Sequence, residues 1–156
     1  MQHESDKGPA VKIPPPLIFM VFILLALGGE YTWPTSLIGL ETLRYIGWGL
    51  CSFAFVLAIT AALQFLKAKT HIEPWRPAQS LILSGLFRYS RNPIYLAFIL
   101  FTIGLGISLN SLWVMLSTIP ATWVLQRFVI LKEERYLTAK FGKQYLEYCA
   151  RVRRWL

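Results

Sequence analysis

Two short stretches carry most of the residues in this chain that could do chemistry. The first runs Gly85-Leu86-Phe87-Arg88-Tyr89-Ser90-Arg91-Asn92-Pro93-Ile94-Tyr95, and the second is Glu133-Glu134-Arg135-Tyr136-Leu137. Between them they offer guanidinium groups, a carboxamide, phenols and two adjacent carboxylates, a set suited to gripping a charged ligand through charge-assisted hydrogen bonds. Each group also has a plain structural reading. Asn92-Pro93 is a helix start signal, because Asn is a favoured N-cap and Pro a favoured first helical residue. Arg91 alone would contact a lipid phosphate. Glu133-Glu134 alone would be a solvated helix start favoured by the helix dipole. The chain offers no Ser-His-Asp or Cys-His arrangement, no Gly-rich phosphate loop and no Cys/His cluster at metal-ligand spacing, so no metal site is expected. Cys51 lies in an apolar run and Cys149 in a basic tail, and no disulfide between them is expected. His71 reads as an interfacial polar residue.

The elements that must position these groups are apolar. Of the 156 residues, 55% are apolar or aromatic, more than a soluble domain of this size can hide from water. Residues 45–66 form an uncharged run long enough for a transmembrane helix. Residues 93–109 and 112–131 follow as a helical hairpin joined through Asn110-Ser111, with Pro120 expected to kink its second helix. A fourth apolar segment, 13–33, opens with Pro14-Pro15-Pro16 and closes near Tyr31 and Trp33, residues suited to the membrane interface. It reads as a retained helix rather than a signal peptide, since acids precede it and no A-x-A pattern follows. Gly104-x-Gly106, inside the third run, reads as close helix packing. Residues 1–12 read as disordered and 13–156 as one domain. The fold class expected is therefore all-α, a polytopic membrane protein with about four transmembrane helices.

The net charge of +8 sits almost wholly in residues 67–92 and after Leu131. Basic residues that flank apolar runs favour anionic lipid headgroups over nucleic acid. Four spans put both termini on one side, and the positive-inside rule makes that side cytoplasmic. Beyond Leu131, Leu137, Phe141, Tyr145 and Tyr148 recur at helical spacing among charged residues, with Gly142 expected to divide the stretch into two short amphipathic helices. Because a tight hairpin returns on itself, its far ends are neighbours. Arg91, Asn92 and Tyr95 are thereby expected to meet Glu133 and Glu134 near the membrane surface.

The ordered set Thr70-x-x-x-Pro74, Ser84-Gly85-Leu86-Phe87-Arg88, Arg91-Asn92-Pro93-x-Tyr95-Leu96, Glu133-Glu134-Arg135-x-Leu137, Phe141-Gly142-x-x-Tyr145-x-x-Tyr148 and Val152-Arg153-Arg154 covers a little over half the chain. It resembles the isoprenylcysteine carboxyl methyltransferase and phospholipid methyltransferase superfamily. The resemblance implies S-adenosylmethionine as cofactor, bound by the cytoplasmic ends of the hairpin, the preceding loop and the tail, residues 67–95 and 127–156. It implies Gly85, Leu86, Arg91, Asn92, Pro93, Tyr95, Glu133, Glu134 and Leu137 as cofactor-binding residues, with Arg91, Glu133 and Glu134 also placed in catalysis. Two departures stand out: Asn92 where many members have His, and Ala97 where many have Gly. Asn keeps hydrogen-bonding capacity but cannot titrate, so a His general base is ruled out at this position. A soluble Rossmann-type methyltransferase does not fit, since strands and helices do not alternate.

Two other functions compete. Membrane reductases using NADPH share a similar helical scaffold, but no further basic cluster here suits a 2′-phosphate. A non-catalytic four-helix membrane protein would carry polar residues along its spans, whereas here they crowd one end. The acceptor expected is lipophilic or amphiphilic: an isoprenylcysteine carboxylate, a phospholipid amine or a small hydrophobic nucleophile. Membrane lipids are the other expected partner, and the short format resembles prokaryotic members, placing the protein in an inner membrane.

Overall fold

Residues 8–36 and 41–156 are described by the computed structural model. Among them every regular element is helical. Helices α1 (Pro15–Thr32), α2 (Glu41–Lys67), α3 (Pro93–Ser108) and α4 (Leu112–Leu125) form the bundle, followed by α5 (Leu131–Phe141) and α6 (Lys143–Arg151). A 3₁₀ turn, Gly85–Arg88, precedes α3, and a π-helical segment, Gln126–Ile130, joins α4 to α5. Among the described residues, three helical stretches are long and apolar enough to cross a membrane: Pro15–Thr32, Leu43–Lys67 and Leu112–Phe141. The third expected span is shorter. At 16 residues, α3 is about 24 Å long against a hydrocarbon core of about 30 Å. It is clipped by Pro93 at one end and the turn at Asn110, where φ is +53°, at the other.

Outward faces confirm the solvent these helices are made for. Leu25 is 66% exposed, Phe55 63% and Ile119 68%, an apolar cover that is at ease in lipid and untenable in water. The fold is that of a polytopic helical membrane protein. Because lipid is as apolar as leucine, the helices associate through close packing instead of hydrophobic burial. Helix α3 lies between α2 and α4, and α1 packs on α4. A Cβ on Gly104 would stand 2.9 Å from the Gly47 carbonyl oxygen, and one on Gly106 would stand 2.7 Å from the Met115 nitrogen. The two glycines thus bring α3 against α2 and α4 respectively, as their spacing suggested.

At the hairpin turn, Ser111 accepts from the Val114 N–H at 3.3 Å and donates its hydroxyl to Glu30 at the end of α1. Glu30 also accepts from the Thr35 N–H at 2.6 Å, so one carboxylate ties α1 to the hairpin. Tyr31 and Trp33 are exposed beside it.

The opposite, polar end differs from expectation in two places. Residues 8–12 are packed: Val11 is 5% exposed and belongs to the core with Ile18, Phe19, Tyr95, Leu125 and Ile130. Gly8 and Val11 find contacts there that local composition cannot announce; residues 1–7, the rest of the stretch read as disordered, lie outside the described residues. Second, α4 does not end where its apolar run ends but continues through the π segment into α5. Pro120 is accommodated inside α4, and the departure from α-geometry falls at residues 126–130. Gly142, with φ +50°, does separate α5 from α6. Helix α6 folds back so that Tyr145, Tyr148 and Val152 pack with Leu81, Leu137 and Phe141.

Candidate functional site

Pro93 starts α3 with its fixed φ and no N–H to leave unpaired, so Arg91 and Asn92 stand just before the helix and Tyr95 on its first turn. The continuous helix from α4 returns to the same level after about forty residues. There the Tyr95 hydroxyl donates to Glu133 Oε1 at 2.8 Å. Arg91 Nη1 lies 3.1 Å from Glu134 Oε1. The two sequence clusters therefore meet, as the hairpin geometry required.

The tail completes the constellation. Arg154 grips Glu134 with both faces of its fork, Nε to Oε1 at 2.9 Å and Nη2 to Oε2 at 2.8 Å. These bonds hold the Arg154 guanidinium still more firmly protonated than usual. Glu134 is thus shared by two guanidiniums, a bidentate pair being the stronger. Arg91 Nη1 also donates to Cys149 Sγ at 2.9 Å, while its Nε is buried without a hydrogen-bond partner. The backbone joins in: the Arg91 N–H donates to the Arg153 carbonyl at 3.1 Å, and Asn92 Nδ2 donates to the Arg154 carbonyl at 3.0 Å. Asn92 accordingly occupies the N-cap position without its side chain capping the helix. Its amide instead anchors the chain terminus. Glu133 and Glu134 stand on the first turn of α5, but that turn continues from the π segment, and the Leu131 N–H already donates to the Gln126 carbonyl.

Around these groups lies a cavity of about 320 Å³. Arg91, Asn92, Pro93, Tyr95, Glu133, Glu134 and Leu137 line it. Gly85 and Leu86 do not. Gly85 has φ +61° with Gln64 where a Cβ would be, and the Leu86 N–H donates to Gln64 Oε1 at 3.2 Å. Their work is to lock the 3₁₀ turn onto the end of α2, which delivers the buried Phe87 to the cavity wall. Tyr148 donates to the Phe87 carbonyl at 2.7 Å, and burial pushes its phenol up to about 12, so the donor stays protonated. Trp75, Tyr136, Tyr145 and Tyr148 add aromatic surface, and Ile94, Phe98, Leu81 and Ile82 make the rest apolar.

Sequence reasoning missed several lining residues. Tyr145, Tyr148 and Arg154 stood in the ordered motif set that carries the resemblance but were not singled out as site residues. His71 faces the cavity from the 70–80 loop, which Thr70 braces by accepting from the Gln79 N–H at 2.9 Å. Pro9, Pro15 and Pro16 carried no signal at all. No group of His, Cys, Asp and Glu that could hold a metal occurs among the described residues, and both cysteines are free thiols.

The result is an apolar, aromatic pocket with opposed charges at one end, set at the polar end of the helical bundle. Comparison with known sequences identifies the group. Residues 43–144 match the family model for phospholipid methyltransferases, and the chain belongs to that family. A protein named protein-S-isoprenylcysteine O-methyltransferase B from Arabidopsis thaliana is 29% identical over 117 residues, 67% of this chain and 58% of its own length. A probable protein-S-isoprenylcysteine O-methyltransferase from Oryza sativa subsp. indica is 30% identical over 113 residues, 69% of this chain and 58% of its own. An uncharacterized protein of Haemophilus influenzae is 36% identical over 63 residues, 40% of this chain and the whole of that protein. The chain thus spans less than two thirds of the length of the plant relatives.

Proposed function

We propose that this protein transfers a methyl group from S-adenosylmethionine to a lipophilic or amphiphilic acceptor at the cytoplasmic face of the membrane. The observation that carries the reading is the junction of Arg91, Tyr95, Glu133 and Glu134 around one cavity. Membership of the phospholipid methyltransferase family supports methyl transfer as the reaction, and the names of the plant relatives make an isoprenylcysteine-like carboxylate one acceptor class; a phospholipid amine is the other. The basic stretches 67–92 and 131–156 share the polar end, which supports its placement in the cytoplasm.

The residues present fit the cofactor. Glu133 has no cation partner among the described residues and can receive an ammonium group. The buried, unpartnered Nε of Arg91 is a donor suited to a carboxylate. The aromatic and apolar walls suit an adenosine and a lipid chain. When bound, S-adenosylmethionine supplies a methyl group on a cationic sulfur that departs as a neutral thioether. The protein's share is alignment and exclusion of water. Tyr95 fixes the Glu133 carboxylate by its hydrogen bond. Arg154 and Arg91 hold Glu134, which keeps the start of α3, the end of the long helix and the tail in one frame. A carboxylate acceptor needs no proton removed; an amine acceptor loses one to water at the polar end of the cavity.

Calorimetry on the detergent-purified protein tests the cofactor, with S-adenosylhomocysteine and NADPH as the two titrants. Micromolar binding of the adenosyl ligand alone is expected, followed by transfer of labelled methyl to a short isoprenylcysteine or phosphatidylethanolamine. Binding of NADPH alone would replace the reading with a reductase, and silence with both would remove it.

A further inference from the structure

The stretch from Gly8 to Lys12 lies against the cavity rather than away from it. Pro9 lines the cavity together with Trp75 and Arg76. Gly8, at φ +31°, is pressed so closely on the Trp75–Arg76 backbone that an added Cβ would stand 2.3 Å from the Trp75 carbonyl oxygen. The Ala10 carbonyl accepts from Lys132 Nζ at 3.1 Å, and Lys132 directly precedes Glu133. Val11 is buried beside Tyr95 and Ile130. Pro14, the residue before α1, and Pro15 and Pro16 at the helix start then make a stiff join that limits where it can swing.

These contacts are few and of different kinds, one backbone approach, one charged hydrogen bond and one buried valine. We infer that residues 8–12 form a strap over the cavity, held by Gly8 on the 73–76 turn and by Lys132 on Ala10, which must part for a ligand to enter or leave. The strap is also a wall of the site, so the ligand contacts Pro9 once it closes. Such segments are drawn from the weakly held parts of a fold, which can open without disturbing the packed helices.

Three proteins test this in detergent: the otherwise native chain, Gly8→Ala and Lys132→Met, each also carrying Ala78→Cys. Ala78 lines the cavity, so the rate at which a maleimide labels residue 78 reports access, with peptide mass spectrometry separating it from Cys51 and Cys149. Labelling should be at least several-fold faster in Gly8→Ala and in Lys132→Met. Equal rates in all three would overturn the strap. A second arm rests on the methyltransferase reading: dissociation of S-adenosylhomocysteine should accelerate in both variants lacking the Ala78 change. If no protein binds that ligand, the cofactor reading fails while the labelling rates still decide the strap. If ligand binds but leaves at one rate throughout, the strap is not the ligand's door.

Discussion

Removing the charge of Glu134 should cost this protein more than removing any other single carboxylate. Its Oε1 is bonded at 3.1 Å to Arg91 and at 2.9 Å to Arg154, so those two nitrogens are about 6 Å apart at most. The Glu134 side chain is 18% exposed, that of Arg91 15% and that of Arg154 31%, so solvent screens the cluster only in part. Glu134→Gln keeps the shape but leaves two guanidiniums facing each other. At an effective dielectric constant of about 20, their repulsion is on the order of 3 kcal/mol, at the low end of what stripping one partner from a buried ion pair costs. For a chain of this size that is a fall in Tm of about 6–12 °C. Tryptophan fluorescence during heating in detergent reads it directly. Arg154→Gln in the same chain removes one of the two opposed cations, and with it their mutual repulsion, and should restore most of the loss, a coupling that a double-mutant cycle isolates. A Glu134→Gln protein that melts with the native one, or a double variant that melts below the single, would refute the shared-carboxylate account.

Other outcomes follow from neighbouring residues. Glu133→Gln should weaken S-adenosylhomocysteine binding at least about tenfold, the loss of one charge-assisted contact, with Tm nearly unchanged; calorimetry on a folded variant with native affinity would move the amino-group contact elsewhere. Asn92→His should retain fold and binding, because an imidazole N–H can replace the amide donor to the Arg154 carbonyl, and a Tm fall of more than a few degrees would show that it cannot. Gly104→Val should abolish the α2–α3 approach, since the first added carbon already meets the Gly47 carbonyl oxygen at 2.9 Å and the Cys51 nitrogen at 3.0 Å; aggregation or a monodisperse protein on size exclusion distinguishes the outcomes. Tyr148→Phe should lower Tm by a few degrees, leaving the Phe87 carbonyl without its buried donor at a cost of about 1–3 kcal/mol.

The hairpin and its consequence were legible in the residues because they rest on length and polarity. An uncharged run, a tight turn and a second run leave no freedom about which ends are neighbours, so Arg91 and Tyr95 had to approach Glu133 and Glu134. Gly104 and Gly106 were equally plain, since small residues inside a span have packing as their first use. What stayed hidden depends on contacts distant in sequence. Nothing local to Arg154 marks it among its basic neighbours as the partner of Glu134. Nothing in Gly8-Pro9 announces a turn at residues 73–76. Asn92 misled for the opposite reason: its local signal is strong, but its side chain is committed to the bond that Nδ2 donates to the Arg154 carbonyl, and its oxygen caps no helix N–H. The continuation of α4 into α5 was masked by composition, because charge rises sharply at Lys132 while the backbone carries on unbroken.

That continuity turns on the five residues Gln126–Ile130. A π turn takes up more residues than an α turn, and in an α-helix each residue advances the side-chain direction by about 100°. The lipid-facing part of the rod and its carboxylate-bearing end are therefore set out of phase with each other. Were the same five residues plain α-helix, every lipid contact of α4 could stay in place while Glu133 and Glu134 swung about a quarter turn from Tyr95 and Arg91. Where the acids point is thus set by the width of one turn within a single rigid rod, and narrowing that turn would disarm the site without touching any residue that lines it.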